Sequence, residues 1–290
     1  MIYVIMGPTA SSKSDLAIYL HDKLENSIIV NFDAFQIYKH MNIGTAKPSQ
    51  EELNKGYYFL YDYLDLEESN DIFSYQKRAR EIIENNKDKD IIFVGGSGLY
   101  IKAALFNYKF NEEPIKMSED YLSDLSNEEL YEKLFKIDQE DALKITSGNR
   151  KRLLRALYVY EINGNKTKSE LNNNQKNELL YPNTKFIFIN PEREKLNELI
   201  NKRVDIMFEK GLVEEARSLL NNYDINSTKA LQAIGYKEFY NSSEKSLEDI
   251  KEEIKLNTRR YAKRQVTFFK HQFPEYEEYD SIEEAIKRLQ

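Results

Sequence analysis

The 290-residue chain has no cysteine. Disulfides, a thiol nucleophile and cysteine-ligated zinc or iron–sulfur centres are thereby excluded. No apolar run approaches the roughly 20 residues of a membrane span, and no basic-then-apolar leader opens the chain. A soluble, cytoplasmic protein without membrane contact is expected. There is no internal repeat, and no Pro/Gly/Ser linker long enough to separate independent domains. Positive charge is not in excess either. The formal net charge is −7, which by itself does not suggest a nucleic-acid partner. With 41% hydrophobic and 31% charged residues the composition is that of a soluble globular protein. The length allows one large domain or two smaller ones.

The first fourteen residues organise what is present. Ile2–Met6 is an apolar run suited to a buried strand, and Gly7-Pro8-Thr9-Ala10-Ser11-Ser12-Lys13-Ser14 follows at once. Leu16, Ala17 and Leu20 then recur at helical spacing. Strand, loop and helix form the context in which the phosphate-binding template G-x-x-x-x-G-K-[ST] has meaning. Consecutive backbone N–H groups and a helix start make a concave anion site. Lys13 adds a point charge, and the Ser14 hydroxyl can ligate Mg2+. Ser12 stands where the template has its second glycine. The competing reading is a chance Gly/Ser-rich turn.

Ile28–Asp33 reads as a second core strand that ends in an acid. Carboxylates at strand ends of open α/β sheets point into the ligand crevice. Asp33 is therefore a candidate metal ligand or general base, with a helix-capping aspartate as the plainer alternative. Residues 73–86 pattern as a helix. Asp90–Val94 is a third strand and runs into the glycine loop Gly95-Gly96-Ser97-Gly98. A P-loop ATPase often places a metal-binding acid there, and this chain does not. Strands alternating with helices predict a parallel sheet covered on both faces.

The alternation stops near Phe110. From Met117 to about Leu180 the sequence is charged, Asn-rich and without a strand candidate. Its apolar stripes are Leu130, Leu134, Ile137, Leu143 and Leu153, Leu154, Leu157, Ile162, with Gly164 ending the second helix. Asn172–Lys176 reads as a polar, mobile loop. The expected division is 1–110 with 181–290 as an α/β core and 111–180 as an all-helical insertion. Lys185–Asn190 is a further strand, a long helix runs from about Glu192 to Lys210, another starts after Gly211, and a basic helix spans Asn257–Lys270.

Charge is segregated. Lys255–Lys270 holds six basic residues and no acid, and Lys144–Arg155 holds five and no acid. An acidic protein thus gains a basic face, although any single run is more often a solvated helix face.

Seven blocks carry a resemblance: GPTASSKS, NFDAFQIYKHMNIGTAKP, GGSGLYIKAAL, NRKRLLRALYVYEING, KRVDIMFEKGLVEEARSL, ALQAIGYKEFY and TRRYAKRQVTFFK. In this order and over nearly the whole length, the chain resembles the tRNA dimethylallyltransferases (tRNA isopentenyltransferases, the IPP transferase family). The resemblance implies a P-loop NTPase-like α/β fold whose helical insertion, 111–180, grips the anticodon arm of tRNA. It implies dimethylallyl diphosphate as donor, Mg2+ as cofactor, and N6 of the adenosine at position 37, beside the anticodon, as acceptor. It implies a cytoplasmic monomer.

Carried over residue by residue, Gly7 to Ser14 (Gly7, Pro8, Thr9, Ala10, Ser11, Ser12, Lys13, Ser14) would hold the diphosphate where an ATP-binding loop holds nucleotide. Asp33 falls on the catalytic aspartate, and Ala34, Phe35 and Gln36 on contacts to the target nucleotide. Ser97 falls near the tRNA, and Asn149, Arg150, Lys151 and Arg152 match a tRNA-contacting segment. Arg217 lies in the block that supplies an arginine for the diphosphate. The chain departs from the family at Ser12, at Ala34 (usually serine), at Phe268 (commonly tryptophan), in lacking a histidine pair near Tyr58–Asp62, and in a short insertion.

The chemistry agrees. Adenine N6 is a weak nucleophile, and a carboxylate in hydrogen-bond reach orients it and takes its proton. Lys13, Arg217, loop amides and Mg2+ on Ser14 would stabilise charge growing on the diphosphate. The base must leave its stack to react, with Phe35, Tyr38 and Tyr100 as candidate walls or core residues. Three alternatives stay open at this point: prenylation of free adenine nucleotides, a P-loop small-molecule kinase, and a non-catalytic tRNA-binding protein.

Overall fold

The computed structural model describes residues 1–108, 117–118, 120–167, 178–273 and 275–289. The chain divides into two compact units, Met1–Leu105 with Tyr181–Gln290, and Phe106–Leu180. The Asn172–Lys176 loop falls outside the described residues.

The first unit is built on six parallel strands, β1 (Ile2–Met6), β2 (Ser27–Asn31), β3 (Tyr58–Phe59), β4 (Asp90–Gly95), β5 (Thr184–Ile189) and β6 (Glu277–Tyr279). Their order is β3-β2-β4-β1-β5-β6. β1 lies between β4 and β5, with Val4 opposite Phe93 and Phe186. A parallel sheet is covered on both faces, which is why its inner strands read as unbroken apolar runs. All five residues of β2 are buried. The edge strands β3 and β6 are two and three residues long and carry no such run. They escaped the sequence reading for that reason.

Helix α1 (Lys13–Lys23) buries Leu16, Ala17 and Leu20 against Ile5, Ile29 and Ile92. The short α2 (Gln50–Leu53) is closed by a Ser49/Glu52 capping box. Helix α3 (Ile72–Asn85) is capped by Asp71, and α4 (Gly98–Leu105) follows the glycine loop.

In the second unit α5 (Asn127–Ile137), α6 (Gln139–Ala142) and α7 (Arg150–Ile162) enclose Leu130, Leu134, Ala142, Ile145, Leu153, Ala156 and Leu157. Leu143 and Ile162 are 69% and 47% exposed, against the expected stripes. Asp138 accepts from the N–H of Asp141 and starts a new helix. This shifts the phase, so Ala142 and Ile145 fill the core where Leu143 was expected.

Returning to the first unit, α8 (Arg193–Glu209) and α9 (Leu212–Asn222) precede two short 3-10 turns at Lys229–Gln232 and Lys237–Phe239. The expected basic helix is part of a longer one, α10 (Leu247–Gln272), about 39 Å at 1.5 Å per residue. A Ser246/Asp249 capping box starts it, and Ile250, Ile254, Ala262, Gln265 and Phe269 face inward. α11 (Ile282–Leu289) ends the described chain. Among the described residues no helix is long and apolar enough to cross a membrane.

Candidate functional site

The carboxyl ends of β1, β2 and β4 deliver three loops to one place. After β1, Gly7 passes so close to β5 that a Cβ would stand 2.3 Å from the Ile189 carbonyl oxygen. Ala10 and Ser12 then adopt left-handed backbone, with φ of 64° and 56°. Ser12 thus takes the conformation for which the template uses glycine. Left-handed residues within such a loop turn successive N–H groups towards one centre, and no hydrogen bond ties the N–H of Ser11 or Ser12 to another described residue. Ser11 Oγ donates to the Pro8 carbonyl at 2.9 Å. Lys13 Nζ folds back onto that carbonyl at 2.5 Å. Ser14 is exposed at the start of α1.

Asp33 follows β2 and is half-buried. Asn31, fully buried, holds its backbone from both sides: Asn31 Oδ1 accepts from the Asp33 N–H at 2.8 Å, and Nδ2 donates to the Asp33 carbonyl at 3.1 Å. Asp33 Oδ1 accepts from the N–H groups of Phe35 (2.9 Å) and Gln36 (3.4 Å). Among the described residues no donor engages Oδ2. One oxygen is an anchor and the other is available as a base. Ser97 Oγ accepts from the Ala34 N–H at 3.1 Å, so the glycine loop braces the Asp33 loop.

Gln265 of α10 joins these parts. Its Oε1 accepts from the Thr9 N–H at 2.9 Å, and its Nε2 donates to the Gly96 carbonyl at 3.0 Å. A Cβ on Gly96 would lie 2.1 Å from that Nε2. Sequence reasoning missed Gln265 and Asn31. A lone amide in a basic helix, or inside an apolar strand, was the available signal, since a buried amide must be satisfied.

Beside Asp33 lies a cleft of about 280 Å³, lined by Thr9, Phe35, Thr45, Arg203, Tyr261 and Arg264 among others. Arg203 lies within electrostatic reach of both Lys13 and Asp33. Burial, then the Arg203 charge, push the Lys13 ammonium down to about 7, with Asp33 opposing. Burial also lowers the Arg203 guanidinium, with Asp33 again opposing.

The arginine that this block brings into the cleft is Arg203. Arg217 is exposed on α9 and is absent from the cleft lining. The reason is helical phase. Arg203 rides the inward stripe Leu196, Ile200, Val204, Met207 of α8. Arg217 follows the buried Ala216 and turns outward.

Other expected site residues separate. Phe35 lines the cleft, whereas Tyr38 is buried in the core. The Tyr100 ring packs at a tilt against Tyr75, with centroids 4.7 Å apart, and its hydroxyl accepts from Asn70. The Gln36 amide donates to the carbonyls of Thr45 (3.0 Å) and Ala46 (3.1 Å). In the second unit Asn149 caps α7, accepting from the Arg152 N–H. The Arg150 guanidinium donates to the carbonyls of Leu122, Ser123 and Leu125, so it braces its own unit. Lys151 and Arg152 are exposed.

The cations of α10 divide as well. Lys255 pairs with Asp205 and Glu252, and Lys270 with Glu278. Arg264 lines the Asp33 cleft, while Arg259, Arg260 and Lys263 line a separate groove of about 730 Å³ that holds no expected site residue.

Mg2+ fits the donor set. No group of three or more His, Cys, Asp or Glu among the described residues could cage a metal ion. A cage is not what Mg2+ needs, since it keeps several waters and is held by one or two protein oxygens plus substrate phosphates. The Ser14 hydroxyl beside the loop is such an oxygen.

Residues 36–272 match the family model described as IPP transferase. The chain is 40% identical to the tRNA dimethylallyltransferase of Malacoplasma penetrans (strain HF-2), with 99% of this chain and 96% of that protein covered. It is 40% identical to the enzyme of that name from Anoxybacillus flavithermus, covering 94% and 88%. Among solved structures, the tRNA delta(2)-isopentenylpyrophosphate transferase of Staphylococcus epidermidis aligns with a TM-score of 0.70 at 34% identity, over 99% of this chain and 96% of that one. A eukaryotic dimethylallyltransferase acting on tRNA aligns with a TM-score of 0.78 at 30% identity, over 92% and 69%.

Proposed function

The chain belongs to the IPP transferase family, and from that membership we propose that its Asp33 cleft transfers a dimethylallyl group to tRNA. The donor is dimethylallyl diphosphate, and the acceptor is N6 of the adenosine at position 37. The relatives of this chain carry the tRNA enzyme's name over nearly its full length. That supports tRNA over a free nucleotide as acceptor, and prenyl transfer over phosphoryl transfer.

The observation that carries the residue assignment is the divided carboxylate. Asp33 Oδ1 is fixed by two backbone N–H groups, which leaves Oδ2 to meet the amine. A bond forms from N6 to C1 of the dimethylallyl group as the C1–oxygen bond breaks. The N6 proton passes to Asp33, and the bonding pair leaves with the diphosphate. General-base assistance of this kind contributes about 10²–10⁴-fold. Lys13, Arg203 and the loop N–H groups face the growing negative charge. Ser14 would hold Mg2+, which would supply further charge neutralisation. Phe35 offers a face on which the unstacked base can lie. Lys151 and Arg152 suit phosphate contacts that position RNA without reading its sequence. On this reading the protein works in the cytoplasm, as a monomer.

The test is direct. The protein is incubated with Mg2+, dimethylallyl diphosphate and unmodified tRNA, and the digested nucleosides are weighed. An adenosine heavier by one five-carbon prenyl unit is the expected product. Prenylation of free AMP but not of tRNA would move the assignment to nucleotide prenylation. No transfer to either, with tRNA still bound, would leave a binding protein.

A further inference from the structure

The loop Asn42–Lys47 separates two clefts. Gly44 and Thr45 line the Asp33 cleft, whereas Asn42, Ile43, Ala46 and Lys47 line a neighbouring cleft of about 690 Å³. Arg203 borders both. The loop has no helix or strand to satisfy its backbone, so its N–H groups need other acceptors.

Glu215 of α9 supplies them. Its carboxylate accepts from the N–H groups of Asn42 (3.1 Å), Ile43 (2.9 Å) and Gly44 (3.1 Å), and from the Tyr236 hydroxyl at 2.7 Å. Bonds to an ionised acceptor are about twice as strong as neutral ones. Tyr236 is fully buried, and its ring lies where a Cβ on residue 44 would come within 2.5 Å of it. The segment carrying Tyr236 is held in turn. Glu238 accepts from the Gly235 N–H and from Asn257 of α10, both at 2.8 Å.

The other end of the loop points at the chemistry. The Thr45 carbonyl accepts from Gln36 Nε2 at 3.0 Å and from Arg203 Nη2 at 3.4 Å. Gln36 belongs to the turn that anchors Asp33 Oδ1. Arg203 is the cation beside Lys13.

We propose that Glu215 and Tyr236 are positioning residues for the transfer reaction, clamping Asn42–Lys47 so that Thr45 seats Arg203 towards the donor diphosphate. The proposal rests on the function assigned above. It places the effect of the clamp on donor handling and not on tRNA affinity.

The experiment compares Glu215→Gln and Tyr236→Phe with the unaltered protein. Gln presents an N–H₂ to backbone donors, and Phe keeps the ring against Gly44 while removing the hydroxyl. Three quantities are measured: KM for dimethylallyl diphosphate against kcat, calorimetric binding of inorganic pyrophosphate with Mg2+, and tRNA Kd by gel shift. Thermal unfolding reports the folded fraction. We expect donor KM and pyrophosphate Kd to rise about tenfold in Glu215→Gln and about threefold in Tyr236→Phe, with tRNA Kd changed less than about twofold. Unaltered donor KM and pyrophosphate Kd in folded variants would overturn the proposal. So would an activity loss that follows the folded fraction alone, which would make the clamp a stability element. If the unaltered protein neither transfers nor binds pyrophosphate, the functional reading falls and takes the clamp's role with it.

Discussion

The loops Gly7–Ser12 and Asn42–Lys47 belong to the same unit and solve the same backbone problem in opposite ways. In the first, the N–H groups of Ser11 and Ser12 have no acceptor among the described residues, and Lys13 turns back on the loop's own Pro8 carbonyl. In the second, three consecutive N–H groups close on the Glu215 carboxylate. On the proposed function the first receives the donor's anion, and the second is closed by a carboxylate of the chain itself. A receptor already filled by a side chain becomes a wall. An open one keeps its donors for a ligand.

Asp33→Ala tests the open side most severely. It should lower transfer by about 10³-fold, with tRNA Kd within a few-fold, because it removes the base and leaves the cations in place. Near-normal rates would remove Asp33 as the base. Arg203→Ala should cost about 10² in kcat/KM for the donor, whereas Arg217→Ala should stay within about twofold. Equal losses in these two variants would contradict the helical phase that separates them.

Proton linkage distinguishes the loops further. Burial, then the Arg203 charge, push the Lys13 ammonium down to about 7 from its ordinary 10.5, so rising pH above neutrality favours the neutral amine. A bound diphosphate favours the ammonium and draws the proton back. Donor affinity should therefore fall as pH rises from 7 towards 10, by at most about tenfold per unit. Calorimetry in buffers of different ionisation enthalpy would reveal the proton uptake, and its absence would remove Lys13 from the diphosphate site.

The smallest effect is at Ser12. Ser12→Gly relieves left-handed backbone at φ 56° and should stabilise by up to about 1 kcal/mol, less what glycine's greater freedom in the unfolded chain removes. Thermal denaturation reads this. A loss of stability would mean that the serine side chain supports the loop.

Much of this was legible beforehand, and the pattern of what was not has physical causes. Strands β1, β2, β4 and β5 announce themselves because burial on two faces demands continuous apolar residues. The loop Gly7–Ser14 is legible because its geometry restricts residue type at Gly7. Asp33 is legible as an acid at a strand end. Arg203 and Arg217 stand in one block of similar sequence, and only the phase of two successive helices tells which turns inward. Arg150 and Lys255 looked like free cations. Their partners, the carbonyls of Leu122 and Leu125 and the carboxylate of Asp205, are set by tertiary packing. Glu215 resembles any surface acid until the loop it holds is seen, because its partners lie about 170 residues away.

Gln265 has a consequence for how the protein comes into being. Synthesis delivers Lys13 and Asp33 first, Arg203 much later, and the Gln265 amide that ties Thr9 to Gly96 after all three. A nascent chain halted before α10 would carry Lys13, Asp33 and Arg203 but would lack Arg264 and the amide that bridges Thr9 and Gly96. On the proposed function, the cleft would be complete only once α10 is made.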